Sequence, residues 1–253
     1  MDMPKALQIH IAANKQWGGA ETRALIAAKQ SPLAAVVVTA ATDAAAVQRF
    51  RSAGIFTYRA KLSGMFAAIT LSRIFRNAVS SAEQPLEIHL HSPQVEDKVK
   101  MALKLTGQQA TMVSLPDVEF PAVELNRSEE RRKPMLMWCG RITPACGLSE
   151  LLEVLATEEL NGWHLKVVGE GEARTVSPLL HRARALGISQ RIDWRGWCED
   201  VYAEMADVDC AVVTRPDAQQ RNVYKEFEAA GVPIICATDR QTLKSLITEL
   251  HPL

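Results

Sequence analysis

Short apolar runs alternate with longer stretches of helical period along almost the whole chain, and that alternation leaves few folds open. Residues 7–12, 34–39, 54–58, 86–90 and 111–114 read as strands, and 21–30, 43–52, 65–80 and 95–106 as helices between them. A strand buried on both faces is near-continuously apolar, as in Ala34-Ala-Val-Val-Val-Thr39. Such strands, joined through helices, form a parallel sheet covered on both sides. The expected fold class is therefore α/β.

The pattern then breaks. Residues 115–134 hold Pro116, Pro121 and Pro134 and the charged run Arg127-Ser-Glu-Glu-Arg-Arg-Lys133, with neither period sustained. After it the alternation restarts: 135–138, 165–168, 191–194, 209–213 and 232–237 read as strands. Leu148, Leu151, Leu152 and Leu155 make an i, i+3, i+4, i+7 stripe that must face a sheet. A further helix is expected to open at Ser177-Pro178 and close at Gly187, since proline suits a helix's first turn and glycine its end. The reading is two α/β domains, 1–124 and 134–253, joined by a linker over 125–133.

Lys plus Arg equals Asp plus Glu, 29 each, so no global charge attracts nucleic acid. Five cysteines, none in a C-x-x-C pair or at zinc-finger spacing, suggest free thiols in a reducing compartment. Residues 1–11 do not resemble a cleavable leader, and no apolar run reaches 18 residues. A cytoplasmic protein is the expectation. Lys61, Arg73 and Arg76, on or beside the apolar 65–80 helix, leave room for peripheral contact with the inner face of a membrane.

Ligands of open parallel sheets bind at the carboxyl ends of strands, where helix N-termini offer free N–H groups. Four such turns stand out. Trp17-Gly18-Gly19-Ala20-Glu21 opens the first helix, and its paired glycines permit close approach of an anion. Cys139-Gly140-Arg141 leads a turn that runs to Gly147, and Arg141 can present a planar fork of donors to a diphosphate. Gly169-Glu-Gly171 lacks the third glycine of a dinucleotide fingerprint, since Arg174 holds that place. Asp217 follows the strand at 209–213, ahead of a helix bearing Glu226 and Glu228; ionised carboxylates there can accept hydrogen bonds from ribose or sugar hydroxyls.

Each turn taken alone has a structural explanation; their order carries more. Gly-Gly-Ala-Glu, then Ile88-His-Leu-His91-Ser, Gly140-Arg141, Gly169-x-Gly171, Trp194-Arg-Gly196, Ala206-Asp207 and the Glu…Ala-Gly-Val-Pro-Ile-Ile block follow one another. This set resembles the family 4 glycosyltransferases, retaining and metal-independent enzymes of the GT-B fold, whose two Rossmann-like domains face each other across a cleft. The resemblance spans residues 8–239, densest after 135. It implies a nucleotide diphosphate sugar as donor substrate, no metal and no other cofactor, and a glycan or lipid-linked acceptor of polysaccharide or lipopolysaccharide biosynthesis. Gly18 and Gly19 would lie near the donor phosphates, and Gly140, Gly169 and Gly171 would line the donor site. His91 would stand close to the reacting sugar with His89 turned the other way. Arg141 would hold the diphosphate, Glu226 or Glu228 the ribose, and Asp217 the sugar.

The chain departs from the family in three places. Five positions after the arginine, where the family commonly has a lysine, stands Cys146. Eight positions before Glu226 stands Ala218, so Asp217 is one step out of register. The chain is short for a member, implying a reduced N-terminal domain. The alternative these departures imply is a degenerate, non-catalytic partner or sugar-nucleotide-binding protein.

Overall fold

The computed structural model describes residues 8–14, 17–42, 44–78, 86–127, 133–198, 200–214 and 221–250. The chain divides into two compact units, Met1–Glu119 and Phe120–Leu253. The first holds β1 (Gln8–Ala12), α1 (Gly19–Gln30), β2 (Ala35–Thr39), α2 (Ala44–Ser52), β3 (Phe56–Arg59), α3 (Ala67–Ala78), β4 (Leu86–Leu90), α4 (Glu96–Thr106) and β5 (Ala110–Ser114). The second holds β6 (Met135–Cys139), α5 (Leu148–Leu155), β7 (His164–Val168), α6 (Ala173–Ala185), β8 (Ile192–Gly196), α7 (Val201–Met205), β9 (Cys210–Val213), α8 (Arg221–Ala229), β10 (Ile234–Cys236) and α9 (Arg240–Thr248).

Both sheets are five-stranded and parallel, ordered β3-β2-β1-β4-β5 and β10-β9-β6-β7-β8. In each, the first strand lies in the middle and the chain winds outward on one side before crossing to the other. That leaves a topological switch point between β1 and β4 in the first unit, and between β6 and β9 in the second. Two Rossmann-like units are what the repeated alternation predicts.

Alternation along the strands builds the cores. Ile9, Ile11, Val36, Val38, Ile88 and Leu90 pack with Leu71 and Phe75 of α3 and Val99 of α4, while Ala12 and Val37 on the opposite face meet Ala24 of α1 and Phe50 of α2. In the second unit Leu136, Trp138, Leu165 and Val167 pack with all four leucines of the predicted stripe, each fully buried. Burial of one such side chain contributes about 2 kcal/mol.

One expected boundary is wrong. α6 begins at Ala173, so Pro178 lies inside the helix and not at its opening. Its cost is one missing N–H donor to a carbonyl a turn earlier, on the exposed side of the helix. The other end is as expected: Gly187 is left-handed at φ 71°, its N–H donating to Arg184 O while Ile188 N–H donates to Ala183 O, a Schellman closure.

Beyond β5 the chain runs extended. Val118 and Phe120 are buried, and Glu119 O accepts from Gln30 Nε2 at 2.6 Å. Val123 N–H donates to Ala229 O at 2.7 Å, and Leu125 packs in the apolar cluster around Met137 and Phe227. No helix of the described residues is long and apolar enough to cross a membrane.

Candidate functional site

At the carboxyl end of the second sheet the strand-end loops are laced together by backbone. Gly140 N–H donates to Val168 O at 2.9 Å, Ile142 N–H to Glu170 O at 2.9 Å, and Gly169 N–H to Gly196 O at 2.6 Å. Ile142 and Gly171 form a parallel bridge. A Cβ at Gly169 would collide with Gly140 O, and one at Gly171 with Ile142 O. The geometry therefore gives Gly169 and Gly171 a packing reason of their own, the close approach of a neighbouring backbone.

The 140–147 turn is braced from beneath. Trp138, fully buried, donates its Nε1–H to Thr214 Oγ1 at 2.9 Å, and the Thr214 hydroxyl donates to Cys146 O. This relay joins β6, the turn and the end of β9 across the switch point. The Cys146 side chain is buried within the leucine-lined core, not turned toward solvent with Arg141. Arg141 is exposed and forms no ion pair or hydrogen bond with a described side chain.

On α8 the two candidate acids part company. Two helical positions apart, they cannot share a face. Glu228 is exposed. Glu226 is half-buried, and its charge is felt by Cys139 at the end of β6, by Cys198 beyond β8 and by Tyr202 at the start of α7. Desolvation pushes the Glu226 carboxyl up to about 7. Its side chain has no hydrogen-bond or ion-pair partner among the described residues. Burial likewise raises the thiols of Cys139, Cys198 and Cys210, the last two to about 11 and about 12, so they stay protonated at neutral pH. All five cysteines are free, as expected. Asp217 lies outside the described residues.

In the first unit, Gly18 caps α1 in an extended conformation and its carbonyl accepts from Thr22 N–H at 2.9 Å; Gly19, the first helical residue, is exposed. Glu21, fully buried, does more than complement the helix dipole. Its carboxylate accepts from Asn14 N–H at 3.0 Å and Asn14 Nδ2 at 2.8 Å, fixing the turn after β1. His91 is buried at the end of β4, its carbonyl accepting from Arg23 Nη2 at 3.1 Å.

His89 corrects an expectation. Residues two apart in a strand share a face, and His89 and His91 both stand against His10, with ring centroids 5.0 and 5.3 Å from it. A polar ladder results: Gln8 Oε1 to His10 Nε2 at 2.9 Å, and His10 Nδ1 to His91 Nε2 at 3.1 Å. Burial first, then neighbouring positive groups, lowers His10 to about 3 and His91 to about 2, so both rings are neutral at neutral pH.

Sequence reasoning missed His10, Asn14, Trp138 and Thr214. The ladder had a signal: Gln8, His10 and Glu87, His89, His91 put polar residues at alternate positions of two strands. Trp138 and Thr214 had none, since only the fold brings residues 76 apart together.

Residues 133–249 match the family model for glycosyl transferases group 1. The lipopolysaccharide core biosynthesis glycosyltransferase LpsE of Rhizobium meliloti is 34% identical over 103 residues, a stretch that covers 40% of this chain and 29% of LpsE. The chain thus matches less than a third of that relative's length. Among solved structures, Anabaena HepE in complex with UDP and glucose superposes with a TM-score of 0.74 at 12% identity, over 96% of this chain and 89% of HepE. A glycosyltransferase from Rickettsia africae does so at 0.67 and 12%, over 96% and 87%. The sequence match to the group 1 glycosyltransferases thus rests on the second unit, while the fold likeness spans both, and the chain has the two-Rossmann-domain architecture of the GT-B structures it matches.

Proposed function

We propose that the chain transfers a sugar from a uridine diphosphate sugar to a glycan or lipid-linked acceptor of lipopolysaccharide or polysaccharide assembly, with retention. One observation carries the reading. A carboxylate, Glu226, and a guanidinium, Arg141, neither with a partner among the described residues, both belong to the strand-end region of β6, at the switch point of the second sheet. A half-buried carboxylate with no partner costs stability, and a ribose diol that donates two hydrogen bonds to it would offset that cost. Arg141 would bind the diphosphate and stabilise the charge that develops as the nucleotide leaves. Gly140 would let the turn approach the phosphates, with Gly169 and Gly171 supporting it. LpsE and the UDP complexes of HepE favour this donor and acceptor class.

Glu226 is the better ribose ligand because Glu228 is exposed on another face. Asp217 is retained as a sugar ligand on the resemblance alone. Gly18, Gly19 and His91 are retained as donor-site residues on the resemblance alone. Neutral at working pH, His91 would serve as a hydrogen-bonding ring and not as an imidazolium acid.

Cys146 favours a second reading, a nucleotide-binding partner without turnover. The position where a lysine would join Arg141 carries a thiol packed into the core. The two readings separate on incubation with UDP-glucose, UDP-galactose and UDP-N-acetylglucosamine plus deacylated lipopolysaccharide core acceptors. Proton NMR of the anomeric region should show new α-linked product with UDP release. UDP binding with no product and no donor hydrolysis across the panel would select the non-catalytic reading.

A further inference from the structure

A second feature belongs wholly to the first unit. A cavity of about 740 Å³ opens at the carboxyl ends of β1, β2 and β3, closed on its far side by the turn into α4. Three cations line it: Arg59, the last residue of β3; Lys61, two positions on; and Lys98, in the first turn of α4. Among the described residues, none of the three has an ion-pair or hydrogen-bond partner and no carboxylate lines the cavity. Three unpaired like charges around one concavity repel each other, and an anion with several acceptor oxygens would relieve that repulsion.

The rim is of the opposite kind. Lining residue Gly64 is followed by Met65 and Phe66, 85% and 71% exposed, and Ile69 is 42% exposed in the first turn of α3. Phe66, Ile69, Arg73 and Arg76 follow at i, i+3, i+7, i+10, one outward face of that helix, while Leu71, Ile74 and Phe75 are buried on the other. Apolar side chains next to the cavity thus give way to cations further along. That sequence of chemistry, anion site, apolar rim, cationic flank, matches a molecule with a charged head and an apolar tail.

We propose that this cavity binds the phosphate-bearing head of an amphiphile, held by Arg59, Lys61 and Lys98, while Met65, Phe66 and Ile69 take the start of its apolar portion. That this amphiphile is the acceptor rests on the transferase reading above; its binding does not.

The test uses calorimetry with two probes sharing one head: dihexanoylphosphatidic acid below its micelle concentration, and glycerol 3-phosphate, which lacks the chains. The wild type should bind the lipid more tightly than glycerol 3-phosphate. R59E/K61E should weaken both at least tenfold, about what loss of a charge-assisted contact costs. M65S/F66S should weaken the lipid alone. All substituted residues are at the surface, and UDP affinity, measured on each protein, reports an intact second unit. Undiminished lipid binding by R59E/K61E would overturn the proposal. Equal affinity for the two probes, unmoved by M65S/F66S, would also overturn it and leave a soluble anion as the occupant. Loss of UDP binding by the wild type would sink the transferase reading and leave this one standing.

Discussion

Replacing Glu226 by glutamine should make the chain more stable and bind UDP less tightly. The carboxyl titrates at about 7 in the folded chain against an ordinary 4.5, because burial disfavours its charged form. With the folded value raised, the group's stabilisation is fully present below 4.5 and is lost as pH rises through 7. The rise from 4.5 to about 7, at about 1.4 kcal/mol per pH unit, makes the ionised side chain a burden of roughly 3 kcal/mol at pH 8. Glutamine carries no such burden. Urea unfolding followed by circular dichroism should give near-equal stabilities for E226Q and wild type at pH 4.5. The variant should gain steadily to about 3 kcal/mol near pH 7 and stay there. In parallel, UDP should bind at least tenfold more weakly to E226Q at pH 8, since a neutral amide is a poorer acceptor for a diol than a carboxylate. A stability difference that does not vary with pH, or a less stable variant at pH 8, would refute the desolvation argument. Unchanged UDP affinity would remove Glu226 from the nucleotide site.

The histidine ladder makes a prediction of opposite sign. His10 and His91 are lowered to about 3 and about 2, so their contribution is present above 6.5 and is lost as pH falls from there toward those values. Each should cost up to about 1.4 kcal/mol per pH unit below 6.5. H10Q compared with its parent, both in the E226Q background to remove the counter-slope, should lose less stability between pH 7 and 5; equal slopes would contradict the assignment. Thr214→Val leaves the buried Trp138 N–H without an acceptor and frees the Cys146 carbonyl, so it should destabilise the chain by about 1–3 kcal/mol and weaken UDP binding through the loosened turn. Full stability in denaturant would show that the relay does not brace the site.

How far the sequence could be read follows from which features are local. Apolar period sufficed for both sheets and for the Leu148 stripe, since burial on a flat face imposes that period wherever it occurs. Boundaries set by one residue were less legible: Pro178 suits a helix opening, but the apolar contacts of Leu179 and Ala183 hold it inside a longer helix. In the site, the turns were visible because glycine and arginine are rare enough in combination to mark a strand end. Which way a side chain faces was not visible. Cys146 sits in the core because Thr214 and Trp138 fix the turn from residues distant in sequence, and Glu226 is singled out from Glu228 only by the packing of α8. His89 was misjudged for a different reason: strand period two, correctly applied, puts it beside His91.

The role proposed for the strand-end turn of β6 is to hold a nucleotide diphosphate through Arg141. Isothermal titration of UDP into wild type and Arg141→Ala tests it at one step from the geometry. Arg141 is exposed and has no partner among the described residues, so its removal should leave no buried group unsatisfied and should not change the urea midpoint. UDP should bind the wild type and lose roughly 10- to 100-fold in affinity for the variant, the worth of a charge-assisted pair. Equal affinity in both proteins, or no UDP binding by either, would contradict it.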